Sequence, residues 1–237
     1  MAKKTISYKE YEFDISYEIL NPKSSVDFVV LHGWGSNKGL MKQAFGNYLN
    51  DFRHIYIDLP GFGNSTAPIS LNSYDYANIL NIFFETLHVK KDIIAGHSFG
   101  GKVATLLEPK LLVLLSSAGI YLPKPFSIKA KIFFYKILKT FGLSKFREFF
   151  VAEDAKKLSP QMYETFKTVV NEDFSEVFKK FPSKALICWG ENDDATPLKA
   201  GLMISEYIKD SEFIKYNGDH YFFLNHSKDI ANEIKNI

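Results

Sequence analysis

Apolar and polar residues follow two rhythms along the chain. Residues 5–19, TISYKEYEFDISYEI, alternate and are rich in β-branched and aromatic side chains, which predicts two strands in a hairpin about Lys9 and Glu10. Beyond them the alternation stops. DFVVL, HIYIDL, DIIAG, LLVLLS and ALICW are short apolar runs, as expected of strands covered on both faces in a parallel sheet. Segments of helical spacing separate them, among them NSYDYANILNIFFETLH, with Ser73 as the expected cap. Strands alternating with helices predict an α/β fold with a mostly parallel sheet of about eight strands. From Leu122 to Pro182 no strand signal occurs, only helix-like sequence rich in lysine and phenylalanine, so this block reads as an inserted helical cap at approximately 122–182 within a single domain, 1–237.

The candidate chemistry lies where these runs end. GHSFGG, residues 96–101, joins the strand run DIIAG to the helix-like KVATLL, which puts Ser98 on a sharp strand-to-helix turn. A serine there projects at the carboxyl edge of the sheet, and Gly96 and Gly100 leave room where side chains would collide. The plainer alternative has Ser98 capping the helix. A serine nucleophile needs a base, and the base an orienting carboxylate. Of six histidines, His220 in the turn NGDH follows the strand run EFIKYN and falls at the same sheet edge, whereas His226 stands where a helix begins. ALICWGENDDATP offers Glu191, Asp193 and Asp194 after the preceding strand, and periodicity does not choose between the adjacent aspartates. An oxyanion needs two N–H donors, for which Phe99, after the serine, and Trp34, in HGWG after DFVVL, are placed. Taken alone, HGWG would also suit a tight turn with Trp34 in the core.

With LHGWG, YIDLPGFGNS, GHSFGG, WGENDDATP and GDH in this order, the chain resembles the α/β-hydrolase superfamily over nearly its whole length. The order Ser, Asp, His is the one expected there. The resemblance implies an α/β-hydrolase fold with an N-terminal hairpin and a helical cap. It selects Asp193, four residues before Pro197, as the acid, and leaves Asp58 a turn-forming residue outside the triad. It implies carboxylic ester hydrolysis of a small-molecule substrate through an acyl-enzyme on Ser98, in the manner of carboxylesterases. HGWG with DLPGFG is particularly similar to pimeloyl-acyl-carrier methyl ester esterases. A carbon-carbon bond hydrolase of the meta-cleavage type shares the framework, and a non-catalytic binding protein on the same fold would carry a broken triad. No metal or organic cofactor is implied. Two features depart from the pattern: only the 12 residues Phe99 to Lys110 separate Ser98 from the next strand run, and Asp219 stands before His220 where glycine is common.

Composition changes this picture little. Apolar residues at 46% and charged residues at 24% are those of a globular protein, and 22 phenylalanines promise a bulky aromatic interior. A net charge of +2 does not describe a nucleic-acid binder. The N-terminal stretch lacks an apolar signal core and no run reaches membrane-spanning length, so the expected location is cytoplasmic. Cys188, the one cysteine, falls in a strand run and reads as core. The charge is uneven, however: seven basic residues lie between Lys124 and Arg147 with no acidic one. On a helix there, Phe133, Phe134, Ile137, Leu138 and Phe141 share one face and would line an acyl pocket, with Lys129, Lys136 and Lys139 opposite. A solvated face is the plain reading of those lysines, and an acidic acyl carrier protein is the partner they would suit. Ile128 and Ile132 interrupt the face, which argues against a membrane surface.

Overall fold

In the computed structural model of the protein, residues 2–122 and 159–237 are described. The basic stretch and the expected pocket residues Phe133, Phe134, Ile137, Leu138 and Phe141 lie outside them. In chain order the elements are β1 (Ala2–Tyr8), β2 (Tyr11–Leu20), β3 (Asp27–Leu31), α1 (Lys38–Phe45), β4 (Arg53–Ile57), α2 (Ser73–Leu87), β5 (Ile93–His97), α3 (Phe99–Leu106) and β6 (Leu111–Leu115). After the undescribed segment come α4 (Pro160–Asn171), α5 (Ser175–Lys179), β7 (Lys184–Gly190), α6 (Leu198–Tyr207), β8 (Ser211–Tyr216), a 3-10 turn (Phe222–Leu224) and α7 (Ser227–Asn236). The eight strands form one sheet in the order β1-β2-β4-β3-β5-β6-β7-β8. β1 and β2 are antiparallel, as are β2 and β4, and from β4 to β8 every pairing is parallel.

The apolar runs lack alternation because both faces of the sheet are covered. Leu31, Ile57, Ile94, Leu114 and Ile187 pack under α2, α3 and α6 on one face, while Phe28, Val30, Ala95, Val113 and Cys188 pack against α1 and α7 on the other. The hairpin turns at Lys9 and Glu10, both with positive φ (50° and 66°), the handedness that suits a two-residue connection between twisted strands. Helix α2 begins differently from expectation. Asn72 is its cap, in a reciprocal capping box with Asp75, and Ser73 is already inside the first turn. Ser73 is buried and hydrogen-bonds the carboxylate of Glu172 through Oγ, a partner 99 residues away that local pattern cannot reveal. No helix among the described residues is long and apolar enough to cross a membrane.

A buried ion pair fixes the loop after β3. Asp58, at the end of β4, takes the Lys38 ammonium on Oδ2 and the Lys38 backbone N–H on Oδ1 at 2.8 Å, and Oδ2 also accepts from Asn64 N at 3.0 Å. Burial alone would push the Asp58 carboxyl up, but the Lys38 ammonium and these N–H groups outweigh it and hold it below its ordinary value. Such a group contributes stability above the unfolded pKa and loses it as pH falls through the folded one. Lys38→Met removes the ammonium and leaves the carboxylate buried. We expect a loss on the order of 3–5 kcal/mol near neutral pH, shrinking as pH falls and Asp58, left buried without its cation, takes up a proton more readily than in the native protein. Chemical denaturation of both proteins across pH checks this, and a loss that grows toward acid would contradict it.

Candidate active site

β3 lies between β4 and β5, so the connections leaving the carboxyl ends of β3 and β5 diverge, as at the switch point where open parallel sheets form a crevice. Ser98 sits there. It separates β5 from α3 with no intervening loop, at φ 51° and ψ −115°, a conformation that costs a non-glycine residue about 1–3 kcal/mol. Its neighbours hold it there. Ser98 N donates to Leu115 O at 3.1 Å, and Ser98 O accepts from Gly101 N and Ala118 N, both at 3.0 Å. The turn is so tight that a Cβ on Gly96 would lie 2.3 Å from Gly100 O, and one on Gly100 would lie 2.6 Å from His32 O. Ser98 does not cap the helix with its side chain: the buried Oγ has no hydrogen-bond partner among the described residues.

The loops after β7 and β8 meet beside this turn. Asn192 N donates to Gly218 O at 2.9 Å and Glu191 N to Tyr216 O at 2.9 Å, so the chain carrying Asp193 is tied to the chain leading to His220. Asp193 Oδ2 accepts from His220 Nδ1 at 2.8 Å, with both side chains fully buried. Its Oδ1 accepts from Ala195 N at 2.8 Å and Thr196 N at 2.9 Å, a carboxylate closing its own turn. Burial works against ionising Asp193, but the charge and hydrogen bond of His220, then the Thr196 backbone N–H, keep its carboxyl below the ordinary value. Asp194 is exposed. His226 is directed elsewhere, with Nε2 on Asn217 O at 2.8 Å. The His220 ring lies 4.5 Å from the ring of His97, the residue before Ser98.

The HGWG loop completes the enclosure. Gly33 backs onto Ser98 so closely that an added Cβ would come within 3.1 Å of the serine Cβ. His32 fixes the loop: Nε2 accepts from Leu59 N at 3.0 Å, which leaves the proton on Nδ1 facing Gly33 O at 2.8 Å. Burial pushes the His32 imidazole down to about 4, so the ring stays neutral. Trp34 packs its indole against Phe62, Phe99 and Phe166 at 4.8–5.7 Å between centroids, and is buried. The core-packing alternative therefore describes its side chain. Phe99 opens α3, whose first N–H groups lack partners within the helix. Among the described residues no cluster of three or more His, Cys, Asp or Glu is arranged to hold a metal ion.

Two further residues, Thr196 and Lys102, join this region without a motif that marks them. Thr196 Oγ1 stands 2.8 Å from Asp193 Oδ2, 3.0 Å from Ser116 O and 3.3 Å from His220 Nδ1, a third oxygen beside the buried pair. Its place three residues after Asp193 was the available signal. Lys102, in α3, donates to Glu172 Oε2 and Val169 O at 2.7 Å each and so fastens the end of α4 to the helix that Ser98 begins. Nothing in GGKVATLL distinguishes it from a surface lysine.

Known proteins agree with this architecture. A sequence profile described as the alpha/beta hydrolase family matches residues 28–233. A pimeloyl-[acyl-carrier protein] methyl ester esterase of Pseudoalteromonas atlantica is 37% identical over 101 residues, 40% of this chain and only 38% of that protein, so the match spans well under half of the relative. Lipase 3 of a Moraxella species is 25% identical over 99% of this chain and 88% of its own. The solved structure of an esterase from Exiguobacterium antarcticum superposes with a TM-score of 0.77 over 99% of this chain and 98% of that one, at 20% identity, which speaks to the fold.

The turn at Gly96 predicts its own intolerance. Gly96→Ala drives a methyl group into backbone rather than into a movable side chain, so we expect a loss of about 1–3 kcal/mol or more, seen as a lowered unfolding midpoint. An unchanged midpoint would show that the turn relaxes freely.

Proposed function

The chain belongs to the alpha/beta hydrolase family, and on that premise we propose that it is a serine hydrolase that cleaves carboxylic esters with Ser98, His220 and Asp193. The observation that carries the reading is the 2.8 Å contact between His220 Nδ1 and Asp193 Oδ2 beside a strained serine turn. Asp193 fixes the tautomer with the proton on Nδ1, which leaves Nε2 as the basic nitrogen. Ser98 Oγ attacks the ester carbonyl carbon as its proton passes to His220 Nε2. Asp193 stabilises the imidazolium without taking the proton. The backbone N–H groups of Trp34 and Phe99 receive the oxyanion, aided by the positive end of α3. Collapse breaks the ester C–O bond, and His220 returns its proton to the departing alcohol. Water then attacks the acyl-serine through the same base. The sum is ester plus water giving acid plus alcohol.

An ester carried on an acyl carrier protein is the more specific substrate we propose. It is supported by the substrate in the name of the Pseudoalteromonas relative and by the seven basic residues between Lys124 and Arg147, which would steer an acidic carrier. The kcat/KM for a carrier-bound acyl methyl ester should fall with added salt more steeply than that for the same free ester. Parallel behaviour would leave a small-molecule esterase.

The mechanism is tested on p-nitrophenyl esters. Ser98→Ala, shown folded by circular dichroism, should lose at least about a thousandfold in kcat, and Asp193→Asn a comparable amount. Asp194→Asn should stay within about twofold, since its carboxylate is exposed. Near-native turnover in Ser98→Ala would reject the nucleophile, and equal losses in the two aspartate variants would reject Asp193 as the orienting acid.

A further inference from the structure

His97 is a buried histidine that the proposed chemistry does not use. Its Nε2 lies 3.0 Å from the backbone carbonyl of His220, and a carbonyl only accepts, so this nitrogen carries the proton. Its Nδ1 is buried with no hydrogen-bond partner among the described residues. That nitrogen faces Gly33, where even a Cβ would come within 2.9 Å of it. The ring packs 4.5 Å from the His220 ring, with Phe223 at 4.8 Å and Tyr221 at 5.0 Å on its other contacts. One side chain therefore holds His220 twice, by its carbonyl and by its ring, and comes from the residue that precedes Ser98.

We propose that His97 is a positioning residue, fixed as the neutral Nε2–H tautomer, that sets the placement of the His220 imidazole relative to the Ser98 turn. The proposal rests on the reading of Ser98 and His220 above. Neutrality is part of the role. The groups facing His97 are His220 and Asp193, from the loops after β8 and β7, His32 after β3, and Tyr221. Burial first, and then the charge of His220, hold the His97 imidazole well below its ordinary value, against the opposing pull of the His220 carbonyl and Asp193. A proton on Nδ1 would find no acceptor among the described residues and would repel the imidazolium that forms on His220. His97 thus adds a donor and a packing surface without adding charge.

Three replacements separate those contributions. His97→Gln keeps an amide donor near the reach of Nε2, His97→Phe keeps a ring without a donor, and His97→Leu keeps neither. Kinetics on a p-nitrophenyl ester should show kcat for His97→Leu falling roughly ten- to hundredfold with KM changed less than about twofold, because placement rather than substrate binding is lost. His97→Gln should recover most of kcat, and the low-field His220 Nδ1–H proton resonance expected of its bond to Asp193 should be sharp in the native protein, broaden in the leucine variant and return with glutamine. A kcat within twofold of native in His97→Leu, or equal loss in the leucine and glutamine variants, would overturn the proposal. Should the leucine variant fail to fold, nitrogen-15 NMR of the native protein decides: a neutral His97 protonated on Nε2 through the pH range where a free imidazole titrates supports the assignment, and an imidazolium there or an Nδ1–H tautomer overturns it. Ser98→Ala in the same assay keeps the two readings apart, since the NMR results stand whether or not Ser98 is the nucleophile.

Discussion

The rest of the site depends on one steric constraint, the reversal of the chain at Ser98. Strand β5 ends and α3 begins with a single residue between them, and the helix start is pressed against the carbonyl ends of β3. Close packing of this kind admits no side chain at Gly96 or Gly100 and holds Ser98 at positive φ through three backbone hydrogen bonds. The strain is supported by a sheet covered on both faces, in which every strand from β3 to β7 is buried along nearly its whole length.

Electrostatics at the same edge follow from burial. An isolated carboxylate moved out of water costs several kcal/mol, and Asp193 offsets this with the His220 ring, two backbone N–H groups and the Thr196 hydroxyl. Two further imidazoles, His32 and His97, stand close by, and each is kept neutral by burial. Neither ring therefore adds positive charge beside His220. The Asp58–Lys38 pair works at one remove, fastening the start of α1 and so the loop that carries Gly33 and Trp34. The Lys102–Glu172 pair does the same for the end of α4.

The strands, the hairpin and the serine turn were legible because each is written in adjacent residues: alternation, unbroken apolar runs, and glycines spaced around a serine. Even the short connection of Phe99 to Lys110 resolves simply, as an eight-residue helix and a tight return to β6. What could not be read was partnership across the chain. Ser73 looked like a cap because it is a serine before helical spacing, yet its hydroxyl group belongs to Glu172, and Asn72 one residue earlier does the capping. Asp58 looked like a turn former, which its bond to Asn64 N makes it, but its burial with Lys38 needed the fold. The adjacent Asp193 and Asp194 have the same local chemistry; only the ties between the β7 and β8 loops bury one against His220 and leave the other in solvent. His97 stands between Gly96 and Ser98 in sequence, yet its contacts come from position 220 and beyond.

On the function proposed, the constrained serine is the reactive group and the buried histidine activates it. Treating the protein with a fluorophosphonate and mapping the adduct by peptide mass spectrometry tests it most directly. We expect a single adduct, on the peptide holding Ser98, that is lost in His220→Ala. An unmodified Ser98 in the native protein, or an adduct carried by another residue, would contradict it.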